Sequence, residues 1–163
     1  MKKLVSVIIA VMMILCCAVA EMPVAEIEIA PSFEGNYAEV DQTYGLVVYV
    51  PADWEEYEES EDYLFAYGND DMDMVTYILD TDIDSFLATC SADEEFTGFM
   101  IASINGTTWL LFSSVDDLAN YAVITYEEGS ILVIEFDTEA PMGDSTLPVE
   151  ILGSLTTVAA LAA

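Results

Sequence analysis

Beyond its third residue this chain has no cationic side chain. Lys2 and Lys3 are the only basic residues, histidine is absent, and 31 Asp and Glu give a formal net charge of −29 at pH 7. Every acid lies after residue 20, so a product cut there would carry 31 acids and a single cation, its new α-amino group. In such a product no side-chain salt bridge can form. Mutual repulsion is expected to raise carboxylate pKa values on folding. Stability should then fall as pH rises through the carboxylate range, and screening by salt should restore part of it.

The same feature removes whole classes of function. Nucleic-acid binding needs Lys or Arg to displace counterions from phosphates. Binding to an anionic membrane surface needs them too. A Ser-His-Asp or Cys-His nucleophile cannot be assembled without histidine. Schiff-base chemistry, phosphate cradling by Lys or Arg, and His-ligated zinc fall with them.

Residues 1–20 have the three parts of a cleavable export signal. Lys2 and Lys3 form a positive start, an apolar run extends from Leu4 to about Cys17, and small residues close it as Ala18-Val19-Ala20 before Glu21. The apolar run is short for a bilayer span of ~20 residues, and Glu21 and Pro23 follow it, so secretion is expected. The alternative is membrane retention through an uncleaved signal. Lipid attachment at Cys16 or Cys17 is disfavoured because the preceding residues, Leu15 and Cys16, are not small. Residues 21–163 then hold Cys90 alone, so no internal disulfide is available and the fold must rest on its core. Their wealth of Val, Ile, Leu, Tyr and Phe is incompatible with a disordered acidic tail.

Along the chain, residues 21–35 read as an extended lead-in in which Ile27 and Ile29 could pair at a sheet edge. Residues 36–163 read as a single domain. A hairpin is expected over Tyr37–Val50, turning at Thr43–Gly45. Residues 53–62 form an acidic turn or short helix with Trp54 packed on the core. Strands Tyr63–Tyr67 and Met74–Leu79 flank a turn at Gly68–Asp71. Ile83, Phe86, Leu87 and Cys90 share one helical face within Asp80–Glu95, with Asp80 or Asp82 as cap, and Cys90 is a small core residue. Asn105-Gly106 marks a tight hairpin between Gly98–Ile104 and Thr107–Ser113. Asn105-Gly106-Thr107 also fits a glycosylation sequon, for which the turn is the simpler explanation. A short helical turn at Ser114–Asn120, a hairpin over Tyr121–Phe136, a loop at 137–146 and a closing helix at about Thr146–Val158 complete the reading. The buried stripe of that last helix would be Leu147, Ile151, Leu152 and Leu155.

This order predicts an α+β fold, an antiparallel β-sheet with helices packed on it. Four segments carry a family resemblance: Gly45-Leu-Val-Val-Tyr-Val-Pro-Ala-Asp-Trp54, Ile101-Ala-Ser-Ile-Asn-Gly106, Gly129-Ser-Ile-Leu-Val-Ile-Glu-Phe136 and Val149-Glu-Ile-Leu-Gly-Ser-Leu155. Through them the chain resembles the PsbP-like superfamily in its small secreted bacterial form, over about residues 37–158. The resemblance implies an α/β/α sandwich and a non-catalytic role, and it transfers no functional residue.

Three candidate chemistries follow. Asp80, Asp82 and Asp84 alternate like the start of a calcium loop, and Asn69, Asp71 and Asp73 do the same. Both registers lack the glycine such a loop needs at its sixth position, where Ser85 and Met74 stand, so a looser, weak Ca²⁺ site is the form this would take. Trp54 and Tyr57 among Glu55, Glu56, Glu58 and Glu59 offer an interaction surface for an extracellular protein or cationic ligand. A hydrolase working with carboxylates alone is the third, although no spacing motif nominates a pair. The expectation is a secreted, strongly acidic, non-catalytic binding domain. Its alternatives are a calcium-dependent surface module and a carboxylate-only hydrolase.

Overall fold

The structure, a computed structural model, describes residues 24–57, 63–115, 118–138 and 146–162. It is mostly β, with 54% of the described residues in strands and 15% in helices. Strands β1 (Val24–Ile27), β4 (Glu55–Glu56), β5 (Phe65–Gly68), β6 (Met72–Leu79), β7 (Phe96–Ile104), β8 (Thr107–Ser114), β9 (Ala119–Glu127) and β10 (Ser130–Thr138) form one sheet in the order β1-β7-β8-β9-β10-β6-β5-β4. Every pairing in it is antiparallel except that of β1, which runs parallel to β7 at the edge. Strands β2 (Gly35–Asp41), β3 (Leu46–Pro51) and β11 (Thr156–Thr157) form a second, three-stranded sheet. The helices are short: α1 (Ile83–Cys90), α2 (Leu147–Gly153) and α3 (Val158–Leu161).

The expected α/β/α sandwich is therefore corrected to a two-sheet packing. A layer of helices would need long amphipathic segments, and the described residues hold only three short helices, while the central strands β8 and β10 are buried on both faces. On the inner face of the large sheet, Ala102, Trp109, Leu111, Ala122, Ile134 and Phe136 pack against Val40, Val48 and Val50 of the small sheet, with Ile151 and Leu152 of α2 closing the gap. The buried Thr76 hydroxyl donates to the Val40 carbonyl at 3.3 Å and stitches the two sheets together. The outer face keeps one eight-residue cover, α1, whose Leu87 and Cys90 sit on Leu110, Phe112, Val123, Ile131 and Val133. Asp82 caps it, accepting from the Ser85 amide at 2.8 Å.

The expected closing helix stops early, for two reasons. A Cβ on Gly153 would lie 2.7 Å from Ile29 and 3.1 Å from the Asn105 side-chain nitrogen, so the backbone itself fills that contact. One residue on, the Ser154 hydroxyl accepts from the Tyr49 amide at 2.6 Å, and Thr156–Thr157 turns into the small sheet. Two other local expectations also shift. Glu55 and Glu56 pair with β5 as a two-residue strand in place of a helix, and Ala119 and Asn120 already belong to β9. Residues 139–145, within the expected loop, lie outside the described residues.

Candidate functional site

The outer face of the large sheet is where charge and aromatic side chains converge. Along β10, residues Ile131, Val133, Glu135 and Asp137 share that face by strand parity. The first two are buried beneath α1, so the helix ends its cover where the acids begin. The register places Tyr121 opposite Glu135 on β9, and Asp73 opposite Asp137 on β6.

Glu135 is gripped from both sides. The Tyr77 hydroxyl donates to one carboxylate oxygen at 3.0 Å and the Tyr121 hydroxyl to the other at 3.3 Å. Burial, and secondarily the adjacent Glu135 charge, pushes the Tyr77 phenol above its ordinary pKa, so it stays a donor at all physiological pH. Behind this carboxylate lies a continuous aromatic platform. Tyr121 stacks on Phe112 at 4.9 Å, Phe99 stacks on Phe112 from another side at 5.1 Å, and Phe86 and Phe96 pack edgewise or tilted around it. Tyr63 tilts against Tyr77 at 5.7 Å.

Beyond Glu135 the sheet ends in an acidic concavity of about 240 Å³. Asp73 and Asp137 face each other across β6 and β10, Asp70 and Asp71 come from the preceding turn, and Leu118 supplies an apolar wall. Like charges directly opposed on neighbouring strands destabilise a sheet by a few tenths of a kcal/mol or more. No side-chain cation exists anywhere after Lys3 to offset that cost.

Other ionisable groups are committed to the scaffold. The buried Asp41 carboxylate accepts from the Tyr126 hydroxyl at 2.7 Å and the Tyr44 amide at 2.6 Å. Glu150 accepts from the Ser32 amide at 2.7 Å and the Thr146 hydroxyl at 2.9 Å, and the Ser32 contact holds its pKa below the usual range. Hydrogen bonds from Ser85 do the same for Asp82. At these two sites local donors outweigh the repulsion expected from net charge, so both pKa values move down, opposite to the sequence expectation. Cys90 is buried, and burial raises its thiol pKa, with Asp93 adding to the effect. It is not an activated nucleophile.

The residues singled out in the sequence are dispersed. Asn69, Asp71 and Asp73 line the acidic concavity, but the Asn69 side-chain oxygen is spent on its own turn, accepting from the Asp71 and Met72 amides. Asp80, Asp82 and Asp84 lie at the start of α1, where Asp82 is the cap. Among the described residues no three acidic or cysteine side chains are placed to hold a metal ion. Trp54 belongs to the inner core and Tyr57 is half-buried, whereas Glu55 and Glu56 face solvent. Glu58 and Glu59 lie outside the described residues, as do Ala18, Ala20 and Glu21 of the expected cleavage site. The sequence reading missed Glu135, Asp137, Tyr77 and Tyr121. The available signal was an acid at an outward parity of β10, directly after the buried positions Ile131 and Val133.

Comparison with known proteins adds no identity. No family model matches the chain, and no curated protein matches it. A solved structure from Bacteroides thetaiotaomicron VPI-5482 is similar at a TM-score of 0.47 and 13% identity, over 77% of this chain and 49% of that one. The chain thus spans about half the length of that structure, and a similarity of this size assigns neither class nor function.

Proposed function

We infer that this is an exported, non-catalytic binding domain whose outer sheet face holds a cationic partner. The observation that carries the reading is Glu135, a partly buried carboxylate oriented by two phenols beside the opposed Asp73 and Asp137. Carboxylates set among aromatic rings suit an ammonium or guanidinium group, which gains Coulomb attraction and contact with ring faces together. Because no lysine, arginine or histidine follows residue 3, the neutralising charge has to come from another molecule. The signal-like residues 1–20 support export, since they join a positive start, an apolar run and an A-x-A ending.

Titration calorimetry with oligolysine at physiological ionic strength tests this reading. The chain from Glu21 onward should bind, and the triple variant Glu135→Gln, Asp73→Asn, Asp137→Asn should bind at least about tenfold more weakly, because three charge contacts at up to ~1 kcal/mol each exceed the ~1.4 kcal/mol that a tenfold change requires. Equal affinity for both proteins would show that the attraction is a diffuse effect of net charge with no site behind it.

A further inference from the structure

The Asn105-Gly106 turn between β7 and β8 carries chemistry that the outer-face site does not use. Both residues are exposed to water, and Gly106 has no Cβ to shield its amide nitrogen from the Asn105 side chain. That pairing permits an internal attack. The Gly106 nitrogen bonds to Asn105 Cγ, the Cγ–Nδ2 bond breaks, and ammonia leaves with the proton that the amide gives up. Water then opens the cyclic imide at either carbonyl. The product is an acid at position 105, with the ordinary main chain or with one extra carbon in it. No oxidant or reductant takes part.

The fold stands in the way of this reaction. Asn105 Oδ1 accepts from the Ile29 amide at 3.0 Å, and Nδ2 donates to the carbonyls of Ile29 and Gly153 at 2.6 and 2.7 Å. The attack expels Nδ2 and draws Cγ onto the main chain, so all three bonds have to be given up. Two of them end on Ile29 in the lead-in, which is held again three residues on, where the Ser32 amide donates to Glu150 at 2.7 Å. A reaction that needs an open clamp runs at the population of the locally opened state.

The product cannot restore the clamp. Oδ1 could still accept from Ile29, but the atom replacing Nδ2 would be an oxygen set against two carbonyl oxygens, with no proton to share. The form with the longer main chain also disturbs the two-residue turn that sets Ile104 opposite Thr107.

We propose that Asn105 is a latent deamidation site, guarded while the lead-in is docked, and that its conversion to an acid unties the lead-in for good. The turn is then a one-way latch: release of residues 24–34 exposes the amide to attack, and the attack prevents their return.

Mass mapping of Asn105 in the chain from Glu21 onward, held in mildly alkaline buffer beside a synthetic peptide of residues Ile101–Leu110, tests the guard. Asn105 in the chain should react about thirtyfold more slowly than in the peptide, which corresponds to ~2 kcal/mol of opening free energy at ~1.4 kcal/mol per tenfold and is within reach of three hydrogen bonds. Glu150→Ala and Ser32→Pro remove the second tie from its two ends without touching Asn105, and each should speed the reaction several-fold. Hydrogen exchange on the ageing wild-type chain tests the untying without a variant. The Ile29 and Ser32 amides should lose protection in step with deamidation, and Asn105→Asp should show that loss from the start. Equal rates in chain and peptide would overturn the guard. Unchanged rates in both tie variants, with their circular dichroism intact, would overturn its coupling to the lead-in. Full protection of Ile29 and Ser32 in the deamidated chain would overturn the latch.

Discussion

Asn105 shows how much one turn residue can hold. It adopts a left-handed φ of 48° ahead of Gly106, as a two-residue hairpin turn requires. Its side chain is a three-way clamp: the oxygen accepts from the Ile29 amide at 3.0 Å, and the nitrogen donates to the carbonyls of Ile29 at 2.6 Å and Gly153 at 2.7 Å. Its own amide donates to Ile27 at 2.9 Å. One residue thus joins the lead-in, the β7–β8 hairpin and the end of α2. At a net ~0.5–1.5 kcal/mol per hydrogen bond, Asn105→Ala should lower unfolding stability by about 2–3 kcal/mol, read as a shift of the denaturant midpoint. A loss near zero would mean these bonds merely replace equivalent ones to water. The clamp also bears on the sequon, because both side-chain N–H groups are engaged. A chain produced in a glycosylating host should leave Asn105 unmodified when its mass is measured.

At the scale of elements, the lead-in is tied down twice, by Asn105 and by Glu150 of α2 through the Ser32 amide. The Glu150 pKa is lowered in the folded state, so the unfolded chain binds more protons at this site as pH drops. Its contribution is complete above the unfolded value near ~4.3 and is lost as pH falls through the folded value. The stability difference between wild type and Glu150→Gln should therefore be larger at neutral pH than near pH ~3. A difference independent of pH would show that the carboxylate charge is irrelevant to the anchor. Much of this element layout was legible in advance. β-rich runs marked the long hairpins, the Ile83-Phe86-Leu87-Cys90 spacing marked α1, and Asn105-Gly106 fixed a turn. What failed were features decided by distant contacts. The early end of α2 depends on Ile29 and Asn105 approaching Gly153, and the parallel pairing of β1 is illegible locally because its partner β7 lies more than seventy residues away. The outer-face site was hidden for the same reason, since Tyr77 and Tyr121 meet Glu135 only across the register of β6, β9 and β10.

For the whole molecule, the dominant fact is a polyanion with no internal counter-ion after Lys3. Two unit charges 10 Å apart in water repel by ~0.4 kcal/mol, and many such pairs act at once. The Debye length falls from ~10 Å at 0.1 M salt to ~3 Å at 1 M. The melting temperature should therefore climb by about 5 °C or more with added NaCl, given that ~1 kcal/mol shifts it by several degrees at this size. CaCl₂ at equal ionic strength should match that rise if calcium acts by screening alone, and a larger shift would favour a specific Ca²⁺ site. A flat response to both salts would contradict the electrostatic picture. The proposed cationic partner would meet the oriented acids of the outer face, and the same net charge also creates a diffuse attraction that any polycation will feel. Localisation of binding is therefore the decisive quantity. Backbone amide shifts recorded while oligolysine is titrated at physiological ionic strength measure it directly. The account predicts changes concentrated at Asp73, Tyr77, Tyr121 and Glu135–Asp137, with Glu26, Glu39 and Glu94 nearly silent. Changes of equal size at all acidic positions would contradict it.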